Sequence, residues 1–183
     1  VEVVQYDGYV ARNFTEMSAV PYNNVWSSDR DQINTRSGET PKFNDPMLNK
    51  QWHYKNTGDE TLVSPIKEGC DINVEPAWEF CTGDPSIIVA VMEGVMYKHE
   101  DLAANMWVNQ AELNGQKGVD DDGNGYVDDV YGYNFAKDQG DITWTDPEDS
   151  GHGTHVAGTI SAVNNNGIGV CGIAGGSGNN DGV

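Results

Sequence analysis

The stretch Ser150-Gly151-His152-Gly153-Thr154-His155-Val156-Ala157-Gly158-Thr159 constrains this chain more than any other. From Val156 the residues are small and apolar, and no proline interrupts them as far as residue 163. The pattern predicts a helix over about 151–163 that can be buried on all sides. Gly151 and Gly153 leave the backbone beside His152 without side chains, so a substrate can approach the imidazole closely. An imidazole in that setting suits general base chemistry. A buried helix that happens to start with histidine is the plainer reading of a lone histidine, and the whole string outweighs it.

Residues 86–92, Ser86-Ile87-Ile88-Val89-Ala90-Val91-Met92, form a continuous apolar, largely β-branched run. Apolar on both faces, it suits a central strand of a parallel sheet. Residues 74–80, with Pro76 near their start and Gly83-Asp84-Pro85 after them, predict a short helix. The helix at 151–163 and the stretch 168–174 continue an α/β alternation. The expected fold class is therefore α/β, a doubly wound parallel sheet with helices on both faces. Catalytic loops of such sheets lie at the C-terminal ends of strands, which places Met92-Glu93-Gly94 at a site. Residues 1–43 differ in character: 1–10 read as one strand, and the polar stretch 27–42, with Arg30, Arg36, Gly38 and Pro41, reads as a linker. A globular region is expected from Phe43, opened by an Asn44-Asp45-Pro46 turn.

The formal charge is −19, from 29 acids against 10 bases. Such a surface repels nucleic acid and anionic lipid and attracts cations. Ten of the 29 acids lie between Asp120 and Asp149, where Lys137 is the only base, and that clustering favours a local cation site. No apolar run approaches a membrane span, and residues 1–20 lack the basic-then-apolar pattern of a signal peptide. Any export signal is expected to be removed or to lie outside this stretch. Cys70, Cys81 and Cys171 have no metal-ligand spacing. Their odd number leaves at least one thiol unpaired within the chain; a Cys70–Cys81 bridge is compatible with the sequence, and small buried thiols are the expected state.

The string around His152 resembles the histidine motif of the subtilisin-like serine peptidases, the subtilases of the S8 family. Asn44-Asp45-Pro46 followed by Lys50-Gln51-Trp52 is similar to the opening of a subtilase catalytic domain, and Pro76-Ala77-Trp78 to the helix before its first core strand. Residues 89–102, ending in His99-Glu100-Asp101-Leu102, resemble the aspartate motif. The resemblance covers roughly 44–183 and is greatest to bacterial surface subtilases of the Bacteroides type. It implies a subtilisin-like sheet in an incomplete domain, with 1–43 a prodomain tail or linker. It further implies a serine endopeptidase, extracellular or on the bacterial cell surface, acting on polypeptide substrates with the remainder of its own catalytic domain. His152 would be the catalytic proton shuttle and His155 a structural partner packed under the motif. No Gly-Thr-Ser-Met-like string is present, so the nucleophile and the oxyanion asparagine are implied to lie further on, and this stretch alone is expected to be inactive.

One position departs from the family. The pattern puts an aspartate directly after the strand 89–92, yet Met92 is followed by Glu93. The expectation is a loop shaped as if one residue longer, its end facing His152; the alternatives put Glu93 or Met92 in the aspartate's place. A second class of protein, a calcium-stabilised pseudopeptidase acting as a binding module, draws support from the missing aspartate and is opposed by the intact His152 string.

Asp120-Asp121-Asp122-Gly123-Asn124-Gly125-Tyr126-Val127-Asp128-Asp129 spaces oxygen ligands as a calcium loop does. Asp120, Asp122, Asn124 and Asp128 take the first, third, fifth and ninth places of an EF-hand-like loop, with the Tyr126 carbonyl at the seventh. The twelfth place is Tyr131, so the bidentate ligand comes from elsewhere, with Asp129 a candidate. The resemblance implies a second calcium, held by Asp45, Asp101, Asn166 and the carbonyls of Val163, Ile168 and Val170.

Overall fold

The computed structural model describes residues 43–143 and 151–183, all within one compact unit, Glu39–Val183. The strand expected at 1–10, the linker at 27–42 and all but the last residue of the expected prodomain segment lie outside the described residues. A short 3-10 helix, Leu48–Lys50, is followed by α1 (Glu75–Trp78), α2 (Gln110–Asn114) and α3 (His152–Ser161). Pro76 sits in the first turn of α1, where its missing N–H has no intrahelical partner to lose. Asn109 caps α2, its side-chain oxygen accepting from the Ala111 amide. Gly151 caps α3 at φ 71°, a left-handed conformation that glycine adopts without strain.

The expected strand does not form. No strand occurs among the described residues, and the single bridge joins Asn134 to Gln139. Residues 87–92 carry no ladder, with Ile88 63% and Met92 69% exposed. A parallel strand exists only through bonds to a neighbour brought alongside by a crossover, and no such neighbour lies alongside 87–92 among the described residues. The run instead lines one side of an apolar cleft of about 630 Å³, with 131–136 and α3 on the others. For the same reason α3 is not buried all round: Gly153 and Ala157 are buried, whereas His155 is exposed and Ile160 half-buried. The subtilisin sheet is thus not displayed by these residues, although α3 lies where the sequence puts it.

Two small cores hold the fold. Val95, Leu102, Ala157 and Ala162 pack α3 onto the loop 93–102. Tyr54, Val74, Trp78 and Cys171 form the second, with Phe43 and Leu48 against it. Trp78 lies edge-on to Phe43 at 4.9 Å and to Tyr54 at 5.8 Å, and its indole N–H donates to the Ile173 carbonyl at 2.8 Å. Gln51 locks the backbone at Cys171 from both sides, donating to its carbonyl and accepting from its amide at 2.8 Å each. Of the three cysteines only Cys171 is buried; Cys70 and Cys81 are exposed, against the expectation of buried thiols.

The Tyr54 hydroxyl is shared between the carbonyls of Cys171 at 2.9 Å and Thr159 at 3.2 Å. Burial pushes its titration up from 10.0 to about 12. A group whose folded value is raised holds its proton in the folded state after the unfolded chain has lost it. Its stabilisation is therefore complete below about pH 10 and lost as pH rises from 10 to 12. Tyr54→Phe is expected to abolish that alkaline loss and to lower stability near pH 7 by about 1 kcal/mol; denaturant melts of both proteins at pH 7, 10 and 11 check it. No helix among the described residues is long and apolar enough to cross a membrane.

Candidate active site and cation sites

His152 is the first residue of α3, and its Nδ1 faces the loop that follows residues 87–92. Glu93 reaches it from that loop: its Oε1 and Oε2 lie 2.8 and 2.6 Å from Nδ1. Nε2 makes no hydrogen bond among the described residues, and 64% of the side chain is exposed. The loop is held against the helix from below. At Gly153 a Cβ would strike the Gly94 carbonyl oxygen and lie 2.7 Å from the Glu93 Cβ, so only glycine admits this approach. The Met96 amide donates to the Thr154 hydroxyl at 3.1 Å, and Val95 is buried against Ala157 and its neighbours.

Three expectations change here. The loop after Met92 is not shaped as if one residue longer; Glu93 itself meets His152. Gly153 is bare to seat the 93–94 backbone rather than to admit substrate, because it is buried by that contact. His155 is exposed rather than packed under the motif. It lies near His53, whose titration is lowered first by burial and then by the His155 charge.

The acidic loop is organised by a residue the sequence reading missed. Glu112 of α2 is 6% exposed, and its Oε1 accepts from the amides of Asp121 and Asp122 while Oε2 accepts from Asp128. Oxygens of Glu112, Asp120 and Asp122 come within 4.8 Å of one another, a grouping that a cation fits. Asp120 also accepts the amides of Gly123, Asn124 and Gly125, which draws the loop into a ring around its carboxylate. Asp128 turns away: at φ 56° its carboxylate accepts from the Gly118 amide, and it does not join the group. Asp129 is buried, with Asn109 and Asn124 amide groups on its two oxygens at 3.0 Å. Asn124 reaches the group through its side-chain amide on Asp122, and the Tyr126 amide is taken up by the Asn124 oxygen. The carboxylate that completes the loop therefore comes from the preceding helix, and a lone Glu112 eight residues before Asp120 gave no spacing signal.

Of the second set, the side chains of Asp45, Asp101 and Asn166 lie close together, and the 163–170 loop meets them through backbone amides. Asp45 and Asp101 are 5% and 2% exposed. Asp101 accepts from the Asn166 side chain at 2.8 Å and the Val170 amide at 2.9 Å, and its backbone carbonyl accepts from the Val163 amide. Asn166 in turn accepts from the Ile168 amide at 2.7 Å, closing the loop on itself. Gly169, at φ 51°, is where the Asp101 carboxylate presses against the loop, and a Cβ there would collide with it. Burial, and to a lesser degree the Asp45 charge, push Asp101 above its ordinary value, while the Val170 and Asn166 donors oppose the shift. Asp45 accepts from Asn165 through Oδ2, but its buried Oδ1 has no partner among the described residues. An unpartnered carboxylate oxygen beside a second buried carboxylate is a costly arrangement that a cation relieves. Both sets of residues fit calcium, whose ligands are oxygens.

A histidine held through Nδ1 by a carboxylate is the arrangement that orients a general base in a nucleophile triad. The chain matches the Subtilase family, Peptidase_S8, over residues 84–178. It is 43% identical over 134 residues to subtilisin-like protease 1 of Plasmodium vivax, covering 73% of this chain and 19% of that protein. It is 33% identical over 166 residues to an extracellular protease of Xanthomonas campestris, covering 82% and 24%, and 35% identical over 135 residues to neuroendocrine convertase 2 of Bos taurus, covering 73% and 18%. The chain belongs to the subtilase family. It spans about a fifth of the length of the relatives it matches.

Proposed function

We propose that the protein is a serine endopeptidase in which His152 is the general base. The observation that carries this reading is the pairing of His152 Nδ1 with a carboxylate, Nε2 making no hydrogen bond among the described residues. In the reaction the Nε2 lone pair takes the proton of a serine hydroxyl as it attacks the scissile carbonyl, and His152 then passes that proton to the leaving amine. The serine and its oxyanion donor come from a further stretch of the catalytic domain, which would also supply strands to the cleft beside residues 87–92. Polypeptides are the substrates, and the name of one relative, the extracellular protease of Xanthomonas campestris, supports an extracellular setting. On motif resemblance alone the protein sits with surface subtilases of the Bacteroides type, and residues 1–43 read as a prodomain tail or linker. The test is covalent labelling of the full-length protein by a serine-directed phosphonate, together with cleavage of peptides by the unlabelled protein. A protein that carries the serine yet neither labels nor cleaves, with calcium supplied, would transfer the reading to a pseudopeptidase binding module.

Calcium belongs to the same proposal. Asp45, Asp101, Asn166 and the 163–170 loop would hold one ion, and Glu112, Asp120, Asp122 and the loop to Asp129 the other. Calcium bound there neutralises clustered carboxylates and ties together the loop that each set of residues belongs to. An ion bound only by the folded state stabilises it by mass action, about 2.7 kcal/mol at a hundred times its dissociation constant. The melting temperature is expected to rise with added calcium and fall in excess chelator, with Asp45→Asn and Asp120→Asn each removing part of the response. A melting curve indifferent to calcium and chelator alike would remove both ions from the proposal.

A further inference from the structure

Asparagine is followed by glycine at three places in the chain: Asn114-Gly115, Asn124-Gly125 and Asn166-Gly167. Glycine has no Cβ to shield its amide nitrogen, so that nitrogen can close on the side-chain carbon of the preceding asparagine. The three pairs stand in different surroundings. The Asn124 side chain is held at both ends, Nδ2 donating to Asp122 and Asp129 and Oδ1 accepting from the Tyr126 amide. Its partner, the Gly125 amide, donates to Asp120 at 2.8 Å. Asn166 is held in the same way, by Asp101 on Nδ2 and the Ile168 amide on Oδ1, and the Gly167 amide donates to Asn44 at 2.7 Å. Asn114, by contrast, is the last residue of α2, and both it and Gly115 are exposed. Its Nδ2 donates back to Gln110, while its Oδ1 accepts no hydrogen bond among the described residues. The Gly115 amide makes a 3.3 Å bond to the Glu112 carbonyl, the longest of the three glycine bonds.

We propose that Asn114 is where this chain deamidates first, and that its isoaspartate form loosens the acidic loop that follows. The Gly115 nitrogen bonds to the Asn114 Cγ, the Cγ–Nδ2 bond breaks, and ammonia leaves with the glycine amide proton as a succinimide ring closes. Water then opens the ring at either carbonyl, giving aspartate or isoaspartate, and one negative charge is added. Isoaspartate also routes the main chain through the side-chain methylene, which lengthens the backbone between Leu113 and Gly115 by one carbon. That junction supports the loop from both sides. Gly115 is packed against the Asp121 carboxylate, where a Cβ would collide, and that carboxylate accepts from the Gln116 amide. Glu112, on the other side, accepts the amides of Asp121, Asp122 and Asp128. Aspartate at 114 keeps the original backbone path on an exposed position and leaves the loop in place.

The test incubates the native full-length protein at mildly alkaline pH in water enriched in heavy oxygen, then maps its peptides by mass spectrometry. The Asn114 peptide is expected to take up the label first, as a mixture of aspartate and isoaspartate. Asn124 and Asn166 are expected to lag about ten- to a hundredfold, because several hydrogen bonds must open at each before the ring can close. In denaturant the three pairs are expected to convert at similar rates. The site is overturned if Asn124 or Asn166 keeps pace with Asn114 in the folded protein, if the same ranking persists in denaturant, or if aspartate forms without isoaspartate. Loosening is read separately, by hydrogen exchange of the Asp121, Asp122 and Asp128 amides. Exchange is expected to be about tenfold faster in the isoaspartate form, isolated by chromatography, and unchanged in Asn114→Asp. Native exchange rates in the isoaspartate form, or equal acceleration in Asn114→Asp, would overturn the backbone effect on the loop.

Discussion

Replacing His152 with alanine in the full-length protein is expected to lower turnover on the order of 10⁶-fold while KM stays within a few-fold. The imidazole stands at the first residue of α3 with Gly151 and Gly153 beside it, and the neighbouring Thr154 hydroxyl accepts from the Met96 amide. Removing it leaves binding and oxyanion stabilisation but no base, so the loss falls on kcat. Steady-state kinetics on a fluorogenic peptide, with active sites titrated by a phosphonate in the native protein, measure it. A loss smaller than tenfold would show that proton transfer does not pass through His152.

The largest effect on stability is expected at Trp78. The side chain is 3% exposed, touches Phe43 and Tyr54, and satisfies its indole N–H on Ile173, so it joins α1 to the 168–174 segment. Trp78→Ala leaves a cavity among Phe43, Tyr54 and Val74 and removes the donor to the Ile173 carbonyl, a cost of about 3–5 kcal/mol. Ile72→Ala, at a residue 58% exposed, is the control and should change stability by no more than about 0.5 kcal/mol. Equilibrium denaturation of the two variants compares them directly. Equal losses at the two positions would mean that the cluster around Tyr54 is not the core it is taken to be.

The helix at His152 was legible from residues alone because everything that makes it is local. Gly151 can adopt the left-handed cap, the residues after it are small, and no proline interrupts them. Helix α1 was legible for the same reason, and its observed bounds, Glu75–Trp78, lie inside the expected 74–80. The contact at Gly153 is not legible in the sequence, since what fills the space beside it is the 93–94 backbone, some sixty residues away in the chain. Asp128 was counted as a ligand by its place in the loop, but a positive φ turned its carboxylate to Gly118.

What the sequence by itself determined is therefore the chemistry and the local conformations: the histidine at a helix start, the calcium-like loop, the acidic surface and the family motifs. What only the tertiary structure decided is which distant groups meet. It brought Glu93 to His152, Glu112 to Asp120 and Asp122, and Asp45 to the 163–170 loop beside Asp101. It also left residues 87–92 without a ladder, because strand pairing is a property of two segments and cannot be carried by one. Propensity and spacing act over a few residues along the chain, whereas a carboxylate finds its partner through the path of the whole backbone.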